Sequence, residues 1–231
     1  MTVINVYEKK PARNQRNNKN ITLVLAHGAG APADSAFMDR LSGFLASSGI
    51  ATIRFEFPYM QRRRQDGRKR PPDRQPVLLA HFREVLRQVG GSGRVFIGGK
   101  SMGGRMASIL AAEADMAGDL SGCICFGYPF HPPGKPDSWR VEHFERFHCP
   151  VMIIQGTRDP FGKRKEVEGH EGLFDNGPDI HWLDGADHDF RPLAKQPETQ
   201  DRMIENAAKV AAKFMAGSLR QPATSQAESP A

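Results

Sequence analysis

Residues 95–103, Val-Phe-Ile-Gly-Gly-Lys-Ser-Met-Gly, constrain the fold of this chain more than any other stretch. A short apolar run of strand type ends in residues 99–103, which read G-x-S-x-G around Ser101, and apolar residues at helical spacing follow. Strand, sharp turn and helix in this order are what a nucleophile elbow requires. The turn forces Ser101 into a strained backbone conformation that lifts its hydroxyl off the sheet edge. Glycines two residues to either side leave room for neighbouring backbone.

The G-x-S-x-G pattern alone is also compatible with a flexible turn, because glycine and serine are common in loops. The rest of the chain favours the elbow, since strand-like and helix-like segments alternate along it. We predict strands near residues 3–7, 21–26, 51–56, 94–98, 121–126, 150–155 and 180–183, and helices near 35–48, 76–89, 102–116 and 199–216. This alternation is typical of an α/β fold with a mostly parallel central sheet and helices on both faces.

At 231 residues the chain has room for one such domain with an ample core. We predict a single domain over residues 1–216 and a disordered tail at 217–231, because that tail is polar and built from small residues. Residues 129–148 are the candidate cap over the site. Their shortness predicts a minimal cap and an open, shallow site that takes small substrates.

Two polar loops downstream supply partners for Ser101. The apolar run at 151–154 leads into a turn containing Asp159, and His188 follows the strand-like stretch at 180–183. Ligands bind at the carboxyl edge of open α/β sheets, and the order Ser, acid, His is that of the α/β-hydrolases. We predict that His188 takes the Ser101 proton and that Asp159 orients His188. A purely turn-forming aspartate is the alternative at 159. Three other aspartates compete for the orienting role: Asp184, Asp187 and Asp189.

A loop of small residues follows another predicted strand. The apolar run at 21–26 leads into His27-Gly28-Ala29-Gly30. Backbone N–H groups in such a loop can donate to a carbonyl oxygen as it becomes negatively charged, and the residue after the nucleophile, Met102, supplies a second donor. We predict Ala29 as the first donor, with Gly30 as its competitor, and His27 as a brace for the loop. A simple glycine-rich turn is the alternative.

Together these motifs resemble a known family. The resemblance rests on residues 27–30 (His-Gly-Ala-Gly), 99–104 (Gly-Lys-Ser-Met-Gly-Gly), 156–159 (Gly-Thr-Arg-Asp) and 187–188 (Asp-His), which are similar to small α/β-hydrolases of the dienelactone-hydrolase-like group. It implies an α/β-hydrolase fold over roughly residues 20–215 and a Ser-Asp-His triad at Ser101, Asp159 and His188. Dienelactone hydrolases proper resemble a cysteine-nucleophile pattern, whereas position 101 is serine.

A narrower resemblance concerns a subfamily related to testis-expressed protein 30 and to the third subunit of the NSL acetyltransferase complex. It rests on residues 57–59 (Phe-Pro-Tyr), 70–74 (Arg-Pro-Pro-Asp-Arg) and 127–134 (Gly-Tyr-Pro-Phe-His-Pro-Pro-Gly). The resemblance includes proteins that serve as subunits of complexes rather than as enzymes, so the fold by itself does not imply catalysis.

Most of the net charge lies in one basic segment, residues 61–75. It holds seven basic and two acidic residues, a net charge of +5 against +6 for the whole chain. The segment follows a predicted strand end, so we place it on the edge that carries Ser101. Three interpretations of this segment compete: a solvated loop, a rim of the site that attracts anionic acyl substrates, and a binding patch for a protein partner. Nucleic acid is the least favoured partner, because the segment has no interleaved aromatic residues.

Four side chains near this edge are predicted to contact substrate: Tyr59, Arg70, Phe130 and His131. The alternatives are that Arg70 pairs with an acid and that residues 128–134 form a structural loop packed on the sheet edge. Proline at 129, 132 and 133 makes that loop stiff in either case.

Composition and terminal sequence exclude several classes of protein. Three cysteines do not suggest a disulfide framework, and Cys123 and Cys125 alternate along one predicted strand, where we expect small core residues rather than a metal pair. The first residues lack the apolar region of a secretory signal, and no stretch approaches the roughly 18 apolar residues of a membrane span. We therefore expect a soluble, cytoplasmic protein without a membrane partner. The predicted chemistry needs no metal or organic cofactor.

The sequence predicts a serine hydrolase that cleaves a small carboxylic ester or thioester through an acyl-enzyme on Ser101. The rival hypothesis is a non-catalytic interaction module on a hydrolase fold, which binds partners through the basic segment. A narrower alternative is a peptidase or an acyltransferase that uses the same three side chains. A full set of catalytic roles in the right order favours the hydrolase.

Overall fold

The structure, a computed structural model, describes residues 6–11, 20–89, 93–170, 172 and 177–217. Seven strands form one sheet: β1 (Val6–Lys9), β2 (Ile21–Ala26), β3 (Ala51–Phe55), β4 (Arg94–Lys100), β5 (Gly122–Phe126), β6 (Val151–Gly156) and β7 (Asp179–Leu183). Their order across the sheet is β1-β3-β2-β4-β5-β6-β7. The edge strand β1 runs antiparallel to β3, and every other pair is parallel.

Helices cover both faces of this sheet: α1 (Ala36–Ser47), α2 (Pro58–Asp66), α3 (Gln75–Val89), α4 (Met102–Ala111), α5 (Arg164–Glu168) and α6 (Gln200–Gly217). Helices α1 and α6 enclose one hydrophobic core, while α3 and α4 supply most helical side chains of the other. Successive residues of β4 alternate between the two, with Phe96 on the α1/α6 side and Ile97 on the α3/α4 side. The predicted mostly parallel α/β architecture is confirmed.

The predicted elements match the observed ones within a few residues, with differences at their ends. The first strand is described over residues 6–9 and so continues past the predicted end at residue 7, while the predicted start at residue 3 lies outside the described residues. Helix α4 ends at Ala111 rather than at 116, and residues 114–116 form a separate short turn of 3-10 helix. Gly217 is the last residue of α6, and the remainder of the predicted tail, 218–231, lies outside the described residues.

The basic segment is not a loop throughout, as the sequence analysis treated it. Helix α2 covers residues 58–66 and has Pro58 in its first turn. Gly67 follows the last helical residue and adopts a left-handed conformation with φ of 71°. Proline at a helix start and glycine just past its end are the expected boundary signals. The helix was missed because its sequence, after two buried residues, is almost entirely polar and shows no apolar stripe.

The packing of α4 against β2 and β4 brings backbone into direct contact with backbone. A Cβ on Gly103 would lie 2.5 Å from the carbonyl oxygen of Ala26 and 2.6 Å from that of His27, and a Cβ on Gly99 would lie 2.4 Å from the carbonyl carbon of Gly103. Only glycine allows this approach. The contact seats the first turn of α4 at the carboxyl ends of β2 and β4, directly after Ser101.

We expect Gly103→Ala to destabilise the protein by about 1–3 kcal/mol, because the new methyl group forces α4 away from β2. Gly43→Ala is the matched control: Gly43 lies within α1, and nothing stands within 4 Å of its Cβ position. That control should stabilise by about 0.5–1 kcal/mol, the usual gain from replacing a helical glycine. Urea unfolding measures both, and equal stabilities for the two variants would contradict the packing described.

Candidate active site

Ser101 occupies the turn between β4 and α4. Its backbone has φ of 52° and ψ of −118°, and its N–H donates to the carbonyl oxygen of Phe126 at 3.0 Å. A positive φ at a non-glycine residue costs on the order of 1–3 kcal/mol and persists only where the surroundings impose it. The strained conformation expected from the G-x-S-x-G pattern is confirmed, and the half-buried side chain projects from the carboxyl edge of the sheet.

A chain of hydrogen bonds joins three side chains from distant parts of the sequence. His188 Nε2 lies 2.9 Å from Ser101 Oγ, and His188 Nδ1 lies 2.7 Å from Asp159 Oδ2. Because a carboxylate only accepts hydrogen bonds, Nδ1 carries the proton and donates to Asp159. In the neutral ring Nε2 is then free to accept the Ser101 hydroxyl. The structure therefore brings together the three residues predicted as nucleophile, base and orienting acid.

Asp159 is fully buried and held from three directions. Its Oδ2 accepts from His188 and from Gln155 Nε2 at 3.0 Å, while Oδ1 accepts the Phe161 N–H at 2.8 Å. A carboxylate removed from water must be compensated in this way, since an unpaired one is very costly. These contacts leave the carboxylate one orientation, which faces the imidazole.

The competing aspartates are engaged elsewhere. Asp187 Oδ1 accepts the N–H groups of Asp189 and Arg191, both at 2.9 Å, and so shapes the loop that carries His188. Asp189 Oδ1 lies 3.5 Å from Lys100 Nζ. Asp184 is exposed. Among these acids, Asp159 is the one that the structure places against the His188 ring.

The loop after β2 has three consecutive carbonyl groups tied back by side chains. The Gly28 carbonyl lies 2.7 Å from His27 Nδ1, the Ala29 carbonyl accepts from the Tyr59 hydroxyl at 2.9 Å, and the Gly30 carbonyl accepts from Arg63 Nη1 at 3.4 Å. In a trans peptide the C=O and N–H groups point in opposite directions. The N–H groups of Ala29 and Gly30 are therefore turned away from His27 and Tyr59, and both residues are exposed.

His27 is a buried brace for this loop. Its Nε2 accepts the Phe57 N–H at 3.1 Å, which leaves Nδ1 as the protonated nitrogen that donates to Gly28. Burial, with a smaller contribution from the Arg64 guanidinium, lowers the pKa of His27 to about 4. The ring is therefore neutral at physiological pH, in keeping with the bracing role expected from the sequence.

The four side chains predicted to contact substrate are not arranged as a binding wall. Tyr59 is fully buried, so it supports the loop from below instead of facing a substrate. Phe130 and His131 are likewise buried, packed with Tyr128 and Trp139 as a structural loop. Arg70 pairs with Asp66 at 2.6 Å, the alternative that the sequence left open. Tyr59, Phe130 and His131 are buried because the burial of large aromatic rings is strongly favourable.

Two residues that sequence reasoning missed support the site. The Phe161 ring packs on the His188 ring, with centroids 4.3 Å apart. Gln155, fully buried at the end of β6, accepts the Tyr128 N–H at 2.7 Å through Oε1 and donates to Asp159 through Nε2. The one signal for Gln155 was a polar residue inside the apolar run Val-Met-Ile-Ile-Gln. For Phe161 it was proximity to Asp159 in the same turn.

Three of the six arginines in the basic segment, Arg62, Arg64 and Arg70, form ion pairs with acidic side chains. Arg64 Nε lies 2.7 Å from Oε1 of the fully buried Glu56 and also pairs with Asp34. Arg62 pairs with Asp73 at 2.5 Å. Arg63 differs, since its partner is the carbonyl of Gly30 beside the site. The segment is thus an ordered rim whose charges are partly neutralised.

Two further features bear on the class of protein. Within residues 6–11, 20–89, 93–170, 172 and 177–217, no group of three His, Cys, Asp or Glu side chains is arranged to hold a metal ion. Cys123 and Cys125 are buried in the same core, as expected. Across the part of the chain that the structure describes, no helix has the length and apolar character to cross a membrane.

Comparison with known proteins agrees with this architecture. The sequence profile of the alpha/beta hydrolase domain matches residues 19–216. Because that match covers most of the chain, the protein belongs to the α/β hydrolase family. The sheet order and the serine elbow therefore indicate the same class, the α/β hydrolases, as the sequence comparison.

Solved structures share the same fold. Est1E from Butyrivibrio proteoclasticus has 14% sequence identity and a TM-score of 0.67, over 94% of this chain and 95% of that one. Dienelactone hydrolase from Anabaena variabilis has 18% identity and a TM-score of 0.68, over 93% and 91%. XC6422 from Xanthomonas campestris, described as an α/β serine hydrolase without lid, has 16% identity and a TM-score of 0.64, over 96% and 91%.

The lowered pKa of His27 makes stability depend on pH. The unfolded chain binds a proton near pH 6.5 and the folded protein only near pH 4, so the stability due to this ring is complete above 6.5 and is lost as pH falls towards 4. We expect His27→Gln to make the free energy of unfolding vary less steeply with pH across that window. His143, whose pKa burial also lowers to about 4, should keep part of the slope.

The measurement is urea unfolding at half-unit steps between pH 4 and 7. His148→Gln is the control, because it replaces an exposed histidine and leaves the buried His27 ring in place. An unchanged slope in His27→Gln would mean that this ring does not stay neutral in the folded protein.

Proposed function

We propose that this protein is a serine hydrolase that cleaves small carboxylic esters or thioesters through an acyl-enzyme on Ser101. The observation that carries the proposal is the hydrogen-bonded chain from Ser101 Oγ through His188 to Asp159, at 2.9 and 2.7 Å, on a strained strand–turn–helix elbow. These are the distances and roles that nucleophilic catalysis by serine requires.

In the proposed reaction, Ser101 Oγ attacks the acyl carbon while His188 Nε2 takes the hydroxyl proton. The tetrahedral adduct collapses by breaking the bond to the alcohol or thiol, which leaves with the proton returned by His188. Water then attacks the acyl-enzyme with the same base, releasing the acid and restoring the serine. Asp159 holds the tautomer and stabilises the imidazolium throughout.

The negative charge on the adduct would be held by backbone N–H groups of Ala29 and Met102, with Gly30 as the competing donor. Met102 is the first residue of α4, so its N–H has no acceptor within the helix. Ala29 belongs to the loop whose carbonyls are tied back by His27 and Tyr59. Donors fixed before the reaction are worth more than donors that must reorganise during it.

Small acyl substrates suit the surroundings of Ser101. The aromatic side chains of residues 128–148 contact one another, as in the Tyr128–Phe144 and Phe130–Trp139 pairs, and Tyr128, Phe130 and Phe144 belong to a hydrophobic core that includes residues of the sheet. Membership of the subfamily related to testis-expressed protein 30 remains part of this proposal and rests on the sequence motifs.

The same three side chains would also serve a peptidase or an acyltransferase, so the screen should include amides and alternative acyl acceptors.

We expect a fluorophosphonate probe to label the wild type and 4-nitrophenyl acetate to be hydrolysed, both abolished in Ser101→Ala. Asp159→Asn should lower kcat by about 10²- to 10⁴-fold, because the amide favours the wrong histidine tautomer. Ser138→Ala, an exposed serine, is the matched control and should label like the wild type.

Circular dichroism should show that each variant is folded. If the folded wild type is not labelled, the hydrolase proposal is wrong and the non-catalytic interaction module is favoured. Labelling that persists in Ser101→Ala would instead place the nucleophile elsewhere.

We further propose that the preferred acyl substrates carry a negative charge. Arg63 is half-exposed and contacts the Gly30 carbonyl in the loop beside Ser101, whereas Arg62 and Arg64 on the same helix pair with acids. A guanidinium at the rim of a site raises the local concentration of anions and slows their escape. A protein partner of acidic character is the second candidate for this surface, suggested by the net charge of the basic segment.

The test compares kcat/KM for two esters, the negatively charged 4-nitrophenyl succinate and the neutral 4-nitrophenyl acetate. At low ionic strength, Arg63→Gln should lower the succinate-to-acetate ratio of kcat/KM by about threefold to tenfold. Arg62→Gln is the matched control, because its charge is already paired with Asp73. An unchanged ratio in Arg63→Gln would rule out charge selection at this position.

A further inference from the structure

Lys100 has no part in the mechanism described so far, although it precedes Ser101 directly. It is the last residue of β4, and its side chain is only 9% exposed. Burial lowers the pKa of its ammonium, against the opposing influence of Asp189 and Asp159. Enclosing a charge at this depth is costly unless neighbouring groups compensate it. A buried lysine next to the nucleophile therefore calls for an explanation.

The ammonium group has partners on two elements. Nζ lies 3.5 Å from Asp189 Oδ1, in the loop that carries His188, and 5.5 Å from the centroid of the Phe37 ring on α1. The other carboxylate oxygen of Asp189 lies 3.5 Å from the exposed Arg191. Lys100 thus ties the nucleophile strand to the loop that follows β7.

The side chain of Lys100 also passes close to two glycines of the neighbouring loops. Its Cγ lies 3.7 Å from the position of a Cβ on Gly28, in the loop of the proposed oxyanion donors. Its Nζ lies 3.3 Å from the position of a Cβ on Gly127, and His188 Nδ1 lies 3.4 Å from that same point. The ammonium and the imidazole are therefore neighbours across Gly127, with no side chain on that glycine between them.

Charged groups surround His188 on several sides. Asp159 accepts from Nδ1, Asp187 and Asp189 flank it in the loop, and Lys100 approaches from the end of β4. Phe161 covers one face of the ring and carries no charge. Lys100 thus brings a positive charge near an imidazole that three aspartates approach, and Arg191 brings a second one to the same loop through its contact with Asp189 at 3.5 Å.

We propose that Lys100 is a positioning residue for the hydrolytic reaction, which holds the His188 loop to the elbow through Asp189 and opposes protonation of the imidazole before the reaction begins. A positive charge nearby makes the imidazolium less favourable, and the three aspartates make it more favourable. Lys100 thus offsets part of the negative charge that the aspartates place around the imidazole. The inference rests on the proposed function, because it concerns the same histidine.

The test compares pH profiles of wild type, Lys100→Met and Asp189→Asn between pH 5 and 9. Two readouts are followed: the second-order rate of fluorophosphonate labelling and kcat/KM for 4-nitrophenyl acetate. Lys100→Met should move the acid-side midpoint up by about 0.5–1 pH unit, because the aspartates are no longer offset. Asp189→Asn should move it down, because the ammonium then loses its nearest counter-charge.

Shifts of opposite sign separate this role from a merely structural one, which would lower the rate in both variants without moving the midpoints. Lys209→Met, which removes an exposed lysine paired with Glu205 on α6, is the control and should reproduce the wild-type profile. If Lys100→Met does not fold, Lys100→Gln, which also removes the positive charge, replaces it and should move the midpoint in the same direction. A reactive wild type with unshifted variants overturns this inference alone, whereas an unreactive wild type overturns the proposed function with it.

Discussion

The rest of the site depends on the backbone contact between α4 and strands β2 and β4. Gly99 and Gly103 let the helix approach closer than any side chain would permit, with Cβ positions 2.4–2.5 Å from neighbouring backbone atoms. That approach accompanies the positive φ of Ser101 and places Gly103, in the first turn of α4, against the carbonyl groups of Ala26 and His27 where β2 ends. The strain at one serine is thus held by the packing of a whole helix, which is the usual way in which folded proteins sustain a strained residue.

Buried hydrogen bonds, rather than flexible contacts, set the orientation of the other groups. Asp159 is held by Gln155 and by the Phe161 N–H, and the loop after β2 is held by His27 and Tyr59. Each of these supports is itself fully buried or part of the backbone. Groups fixed in this way need not reorganise when charge develops, which is why such an arrangement suits stabilisation of a transition state.

The errors of the sequence analysis have a common physical origin. Tyr59, Phe130 and His131 were placed at the site because they follow strand ends, but large rings near a sheet edge gain more from burial than from exposure. Helix α2 escaped prediction because it buries only Tyr59 and Met60, and its other contacts include pairs such as Arg64–Glu56, between residues eight positions apart. Pairs of that kind leave no periodic trace in a sequence.

The sequence by itself determined the α/β architecture and the elbow at Ser101, and it narrowed the partners of Ser101 to His188 and four aspartates, because these depend on local apolar patterns, glycine positions and the order of strand ends along the chain. Only the tertiary structure decided which of four aspartates meets His188, which carbonyls are tied back around Ala29, and that Lys100 lies beside the imidazole. Most of those outcomes depend on contacts between residues that are far apart in the sequence, such as Tyr59 with Ala29 and Asp159 with His188. Such contacts follow from how the strands pack together, and no local pattern encodes them.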